Sequence, residues 1–193
     1  MRVVITGSKK SNTPGHVMNG WMHDYFEGHE IITISKSNGY DFYTDYDRIL
    51  EVAKTADIFV NSAAVDKFQI KFFQDLYGHV PKIISLGSIA ADFSDALNDF
   101  YPKMKKELKT KHKFLPLTNL NVSSDILHIT LTEVENIEEH IQGMTYNQLK
   151  RILDFWFENP FFTNIDLKYF TETYTDSDKL SKIQRVLAHY ENK

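Results

Sequence analysis

The sequence contains no cysteine at all. That excludes a disulfide framework and a thiolate-bound metal, and it fits a reducing, cytoplasmic setting. It also lacks an excess of positive charge: 22 Lys and Arg stand against 26 Asp and Glu, a net charge of −4. A dedicated nucleic-acid binder is usually basic, so nucleic acid is not an expected partner. No apolar run approaches the roughly 20 residues needed to cross a bilayer. The apolar start at Val3, Val4 and Ile5 is too short for a signal peptide and soon gives way to polar residues, so no membrane partner is expected. The 8 histidines form no His-x-x-x-His pair. Glu133, Glu135, Glu138 and Glu139 beside His140 read as a polar loop rather than the three placed ligands a metal requires. There is no internal repeat, low-complexity tract or linker, so residues 1–193 are expected to form one domain.

What is present is alternation. Short apolar runs recur between longer amphipathic segments, the pattern of βαβ units around a parallel sheet. Strands are expected at Arg2–Thr6, 31–34, near 40–43, at 57–61, 82–86, 126–131 and 165–170. Between them, Val17, Trp21, Met22, Tyr25 and Phe26 recur at helical spacing, with Gly28 as the stop. Further helical patterns cover 49–54, 68–77 and 99–113, the last with Pro102 in its first turn and Pro116 ending or kinking it. Thr145 followed three residues later by Gln148 makes a capping box for a helix through Trp156, and 177–190 reads as a closing helix. The expected fold is α/β, a Rossmann-type three-layer sandwich around a doubly wound parallel sheet.

Four constellations carry chemistry. The first strand runs through Gly7 and Ser8 into a polar loop and reaches Gly15 at the start of a helix. A strand that turns into a helix there points backbone N–H groups, and the positive end of the helix dipole, at one spot suited to a pyrophosphate. A plain surface turn would have similar composition. Ser35 and Lys36 follow the second strand, where dinucleotide folds place either an acid for the ribose 2′-hydroxyl or a cation for a 2′-phosphate. With no acid there, Lys36 favours NADP(H) over NAD(H). Asp41 is placed to accept from the adenine amine. Asn61, Ser62, Ala63 and Ala64 end the strand at 57–61 with small groups that let a ligand approach.

The strongest signal is Ser88, Tyr101 and Lys105. Ser88 lies just past the strand at 82–86, and Tyr101 and Lys105 share one helix face at i, i+4. A phenol, with a reference pKa of about 10, exchanges protons poorly near neutrality. A neighbouring ammonium favours the phenolate, so Tyr101 is expected to act as general acid/base while Ser88 holds a substrate oxygen. Among other features, the basic run Lys103, Lys105, Lys106, Lys109, Lys111 and Lys113, with His112, reads as a solvated helix face. The aromatics Phe155, Trp156, Phe157, Phe161 and Phe162 read as core or subunit contact.

Taken in order, Thr6-Gly7 with Gly15, the stretch 61–64, Ser88, Tyr101 and Lys105 resemble the short-chain dehydrogenase/reductase superfamily over most of the chain. The resemblance implies an oxidoreductase that moves a hydride between a nicotinamide and a small carbonyl or alcohol substrate. It implies catalysis by Ser88, Tyr101 and Lys105, with Lys105 also placing the nicotinamide ribose. Cofactor contacts would come from Gly7, Ser8, Gly15, Ser35, Lys36, Asp41, Asn61, Ser62 and Ala63 as well as Tyr101 and Lys105. Homo-oligomers accompany such chains. Two departures stand out. Only 27 residues separate Asn61 from Ser88, which trims the helix that supplies a catalytic asparagine and a dimer face in relatives; no counterpart of that asparagine is evident. The usual Pro-Gly after the strand at 126–131 is replaced by Thr132-Glu133-Val134-Glu135-Asn136. They motivate the alternative of a non-catalytic dinucleotide-binding sensor or scaffold.

Overall fold

The computed structural model describes residues 1–8, 14–97, 99–119, 124–131, 145–160 and 164–166. In chain order these form β1 (Arg2–Thr6), α1 (Pro14–Tyr25), β2 (Glu30–Ile34), α2 (Tyr46–Lys54), β3 (Ile58–Asn61), α3 (Phe68–Leu76), β4 (Lys82–Leu86), a short α4 (Ser94–Leu97), α5 (Phe100–Thr118), β5 (Asp125–Thr130), α6 (Tyr146–Glu158) and β6 (Asn164–Asp166). Two 3-10 turns, Lys36–Asn38 and Ile89–Phe93, follow β2 and β4.

All strand pairings are parallel, in the order β2-β1-β3-β4-β5-β6. Because strand residues point alternately to opposite faces, the sheet builds two cores. Val3, Ile5, Ile58, Val60, Ile84, Leu86, Leu127 and Ile129 face α1 and α6, meeting Met18, Met22, Phe26, Leu149, Leu153 and Trp156. Val4, Phe59, Ile83 and Ile126 face α2, α3 and α5, meeting Ile49, Ile70, Phe73, Met104 and Leu108. The result is the expected three-layer, doubly wound arrangement. The chain order reverses between β1 and β3, which places a topological switch point, the usual ligand crevice of such sheets, at their carboxyl ends. The classic strand order of the fold, 3-2-1-4-5-6, has one more strand outside β2; among the described strands here β2 is the edge.

Two expectations are corrected at this level. Residues 40–43 form a turn, not a strand. The Asp41 carboxylate accepts from the Tyr43 N–H at 2.9 Å, and the Asp45 N–H returns to the Asp41 carbonyl at 2.8 Å, so side chain and backbone close a local Asx-type turn instead of offering a free ladder. Pro116 does not end its helix, since α5 continues to Thr118. Pro116 falls in the last turn, so the missing N–H removes one terminal hydrogen bond rather than breaking the helix interior. The helix at 145–156 begins as expected: Thr145 Oγ1 accepts from the Gln148 N–H while Gln148 Oε1 accepts from the Thr145 N–H at 2.8 Å. The strand at 165–170 overlaps β6 only in part. Its remainder, the helix at 177–190, the loop at 132–140 and most of the loop between β1 and α1 lie outside the described residues.

Candidate active site

The site begins with a polar row across an otherwise apolar sheet. In the parallel register Asn61 pairs with Ser85, and Ser85 with His128; all three are buried and lie on the α3/α5 side by strand alternation. At the switch point, Thr6 joins β1 to β3. Its hydroxyl donates to the Val60 carbonyl at 3.2 Å and accepts from the Ser62 and Ala63 N–H groups at 2.9 and 3.1 Å, while Ser62 Oγ donates to the Thr6 carbonyl. The Ser62 and Ala63 N–H groups are thus spent on the protein.

Gly7 follows with φ at +102°, a conformation L side chains rarely adopt. A Cβ at Gly7 would collide with the Asn19 side chain. Asn19, on α1, donates from Nδ2 to the Ser8 carbonyl at 3.3 Å, holding the turn against the helix. Its Oδ1 is buried with no hydrogen-bond partner among the described residues. Gly15 lies in the first turn of α1, so the strand, the glycine turn and the helix start occupy the expected places.

Beyond the carboxyl end of β2 the chain gathers a cluster of polar side chains. Ser35 is buried and engaged with Ser37 Oγ at 2.9 Å and Asn38 Oδ1 at 3.0 Å. Lys36 is fully in solvent and pairs with Asp41 at 3.2 Å. The Asp41 carboxyl is held below its usual range by the Tyr43 N–H first and by Lys36 second. Arg48, which sequence reading missed, lies 4.7 Å over the Tyr40 ring in the same turn region.

Lys105 reaches the end of β4 beside the Tyr101 ring, and Ser88 follows β4 by two residues. Ser88 is extended and caps the following 3-10 turn, accepting from the Ala90 N–H at 3.2 Å. Tyr101 is half-buried on the first turn of α5, after Asp99, whose carboxylate caps that helix. One turn on, Lys105 is only 2 % exposed. Its Nζ lies 5.5 Å from the Tyr101 ring centroid and donates to the Leu86 carbonyl at 2.8 Å, two residues before Ser88. It also donates to Gln69 Oε1 at 2.7 Å. Desolvation brings the Lys105 pKa down from 10.5 to about 7, because a buried ammonium with neutral partners loses more hydration than it regains.

Gln69, at the start of α3, is the residue the sequence reading missed. Its Nε2 donates to the Asn61 carbonyl at 2.7 Å and the Leu86 carbonyl at 2.9 Å, and its backbone carbonyl accepts from Asn61 Nδ2 at 2.7 Å. A glutamine in the first turn of an apolar helix that follows a strand ending in Asn was the available signal.

No family model matches the sequence, and no curated protein is detectably similar to it. Solved structures do match in shape. A short-chain dehydrogenase from Sphingobium yanoikuyae in complex with NADPH superposes with a TM-score of 0.59 at 11% identity, covering 97% of this chain and 95% of the other. The 3-alpha-hydroxysteroid dehydrogenase of a Pseudomonas species, complexed with NADH, gives 0.63 at 12% identity over 86% and 95%. A 3-ketoacyl-(acyl-carrier-protein) reductase from Brucella melitensis, complexed with NADH, gives 0.60 at 12% identity over 86% and 96%. The chain has the short-chain dehydrogenase/reductase fold. Within that fold, the carboxyl ends of β1, β3 and β4 carry Gly7, Asn61 and Ser88, and α5 brings Tyr101 and Lys105 to the same end. Among the described residues, no helix is long and apolar enough to cross a membrane and no group of three metal-ligating side chains occurs.

Proposed function

We propose that this protein is an oxidoreductase that uses a nicotinamide dinucleotide to interconvert a small carbonyl and an alcohol. The observation that carries the reading is the placement of Lys105: a buried lysine beside the Tyr101 ring and against the end of β4. Burying a lysine without a carboxylate partner is unfavourable, and such groups gather where chemistry needs them. The residues also suit the cofactor. Gly7 has a positive φ with no room for a Cβ, and next to it Asn19 holds a buried oxygen without a partner among the described residues.

Gly7, Ser8, Gly15 and the start of α1 would receive the pyrophosphate, with Asn61, Ser62 and Ala63 lining the middle of the crevice. When bound, the nicotinamide supplies or takes the hydride. Tyr101 gives its phenolic proton to the carbonyl oxygen during reduction, or takes the hydroxyl proton during oxidation. The Lys105 ammonium attracts the negative charge that this leaves on the phenol oxygen. Ser88 donates its hydroxyl to the substrate oxygen and fixes its orientation.

NADP(H) is the favoured form through Lys36, with Arg48 as a second cation for a 2′-phosphate. The Lys36–Asp41 pair works against this preference, because Asp41 partly neutralises Lys36 and can itself accept from a 2′-hydroxyl. Asp41→Asn is therefore expected to shift selectivity toward NADP(H), and Lys36→Ala toward NAD(H), in paired thermal-shift titrations. The central test is Tyr101→Phe. Turnover on a carbonyl panel should fall at least ~100-fold, the scale of one general acid, with NADPH affinity by fluorescence nearly unchanged. Retained activity would remove Tyr101 from the chemistry, and cofactor binding by the wild type without any turnover would leave a non-catalytic binding protein.

A further inference from the structure

Lys105 Nζ carries three protons as an ammonium and has two acceptors among the described residues, Gln69 Oε1 and the Leu86 carbonyl. The orientation of the Gln69 amide is fixed by its surroundings. Its nitrogen faces the carbonyls of Asn61 and Leu86, and its oxygen faces the ammonium. A flipped amide would oppose oxygen to two carbonyls and nitrogen to a cation, three repulsive contacts in a buried site. Asn61 reinforces the arrangement by donating to the Gln69 backbone carbonyl at 2.7 Å and reaching Ser85 Oγ at 3.4 Å. Gln69, Asn61 and Ser85 are all fully buried. The first turn of α3 is thereby fastened to the ends of β3 and β4, and the only group it turns toward the lysine is an acceptor.

We propose that Gln69 is a positioning residue that keeps Lys105 protonated and directs it: together with the Leu86 carbonyl it takes two of the three N–H bonds, leaving one for a hydroxyl or phenol in the crevice. This rests on the proposed oxidoreductase reading for its purpose, but the effect on Lys105 can be measured without it. In burial, neutral acceptors are what hold an ammonium against desolvation. Removing Gln69 Oε1 therefore drives Lys105 toward the neutral amine. That form has one proton fewer and cannot serve the crevice as a cation. A carboxylate at the same place holds the cation more strongly.

The experiment follows the Lys105 side chain directly. NMR titration of the 13Cε signal in lysine-labelled protein, assigned by its loss in Lys105→Arg, gives the midpoint in wild type, Gln69→Met and Gln69→Glu. A midpoint near 7 is expected in the wild type. Gln69→Met should lower it by about one unit, a tenfold change in the protonation equilibrium, and Gln69→Glu should raise it by at least as much. If Gln69→Met does not fold, the rise in Gln69→Glu carries the test alone. Equal midpoints in the folded variants and the wild type would overturn the proposal and leave Gln69 a purely structural clamp. Thermal shift of the wild type with NADP⁺ and NAD⁺ separates the two readings. Shifted midpoints without cofactor binding sink the oxidoreductase reading and keep this one; cofactor binding with unmoved midpoints does the reverse.

Discussion

At the residue scale, Lys105 links stability to function. Its pKa of about 7 in the folded protein lies below the ordinary 10.5 of an exposed lysine. Between those values the unfolded chain binds more protons than the folded one, so this residue makes stability rise with pH across that window and leaves it lowest below pH 7. Lys105→Met abolishes the dependence. Relative to the wild type, the variant should be favoured more at pH 7 than at pH 9.5, where most of that advantage is gone, read by urea denaturation at both values. The loss of the Lys105 N–H donated to Gln69 Oε1 adds a penalty that does not change with pH, so the difference between the two measurements is the test. Gly87 is the other sensitive position. Its N–H donates to the Ile129 carbonyl at 2.8 Å, and a Cβ there would collide with the buried His128 ring. Gly87→Ala should destabilise by about 1–3 kcal/mol, the range for overpacking. The loss should shrink when combined with His128→Ala in a double-mutant cycle.

At the element scale, α5 does two things with one face. Its first turns carry Tyr101 and Lys105, and further along His112 stacks on Phe73 of α3 with ring centroids 3.8 Å apart. His112 is 1 % exposed, and neither ring nitrogen has a hydrogen-bond partner among the described residues. Desolvation, with the nearby His128 second, holds His112 well below its usual 6.5. A depressed pKa means the neutral ring is what the fold accepts. The stability tied to it is present above about pH 6.5 and is lost as pH falls below that, because the unfolded chain then takes up the proton. His112→Leu should flatten this acid limb, seen as a smaller difference between denaturation midpoints at pH 7.5 and 5.5. In α6, Thr145→Ala removes the capping hydroxyl and should cost about 1 kcal/mol, readable as a fall in melting temperature.

At the scale of the whole molecule, a ligand that bridges the switch point ties α1, β1, β3 and β4 together only in the folded state. Binding of that kind stabilises by mass action, by ~2.7 kcal/mol at a hundred times the dissociation constant. A cofactor at that concentration should raise the melting temperature by several degrees, and Gly7→Ala should remove the rise because the positive-φ turn proposed to receive the phosphates no longer forms.

Read residue by residue, the sequence by itself determined much of this protein. The apolar runs at 2–6, 57–61 and 82–86, alternating with amphipathic segments, read as buried parallel strands, and the i, i+4 spacing of Tyr101 and Lys105 put both on one helical face. Those features depend on local periodicity, which a linear reading sees. Tertiary structure decided the rest. The turn at 40–43 has strand-like residues, but Asp41 closes it with its own carboxylate, a contact no periodicity reports. Gln69 reads as an ordinary polar position in a short helix until folding sets it between Asn61, Leu86 and Lys105. Each of those partners comes from a different element, and a hydrogen-bond network in a buried site exists only once all of them arrive together.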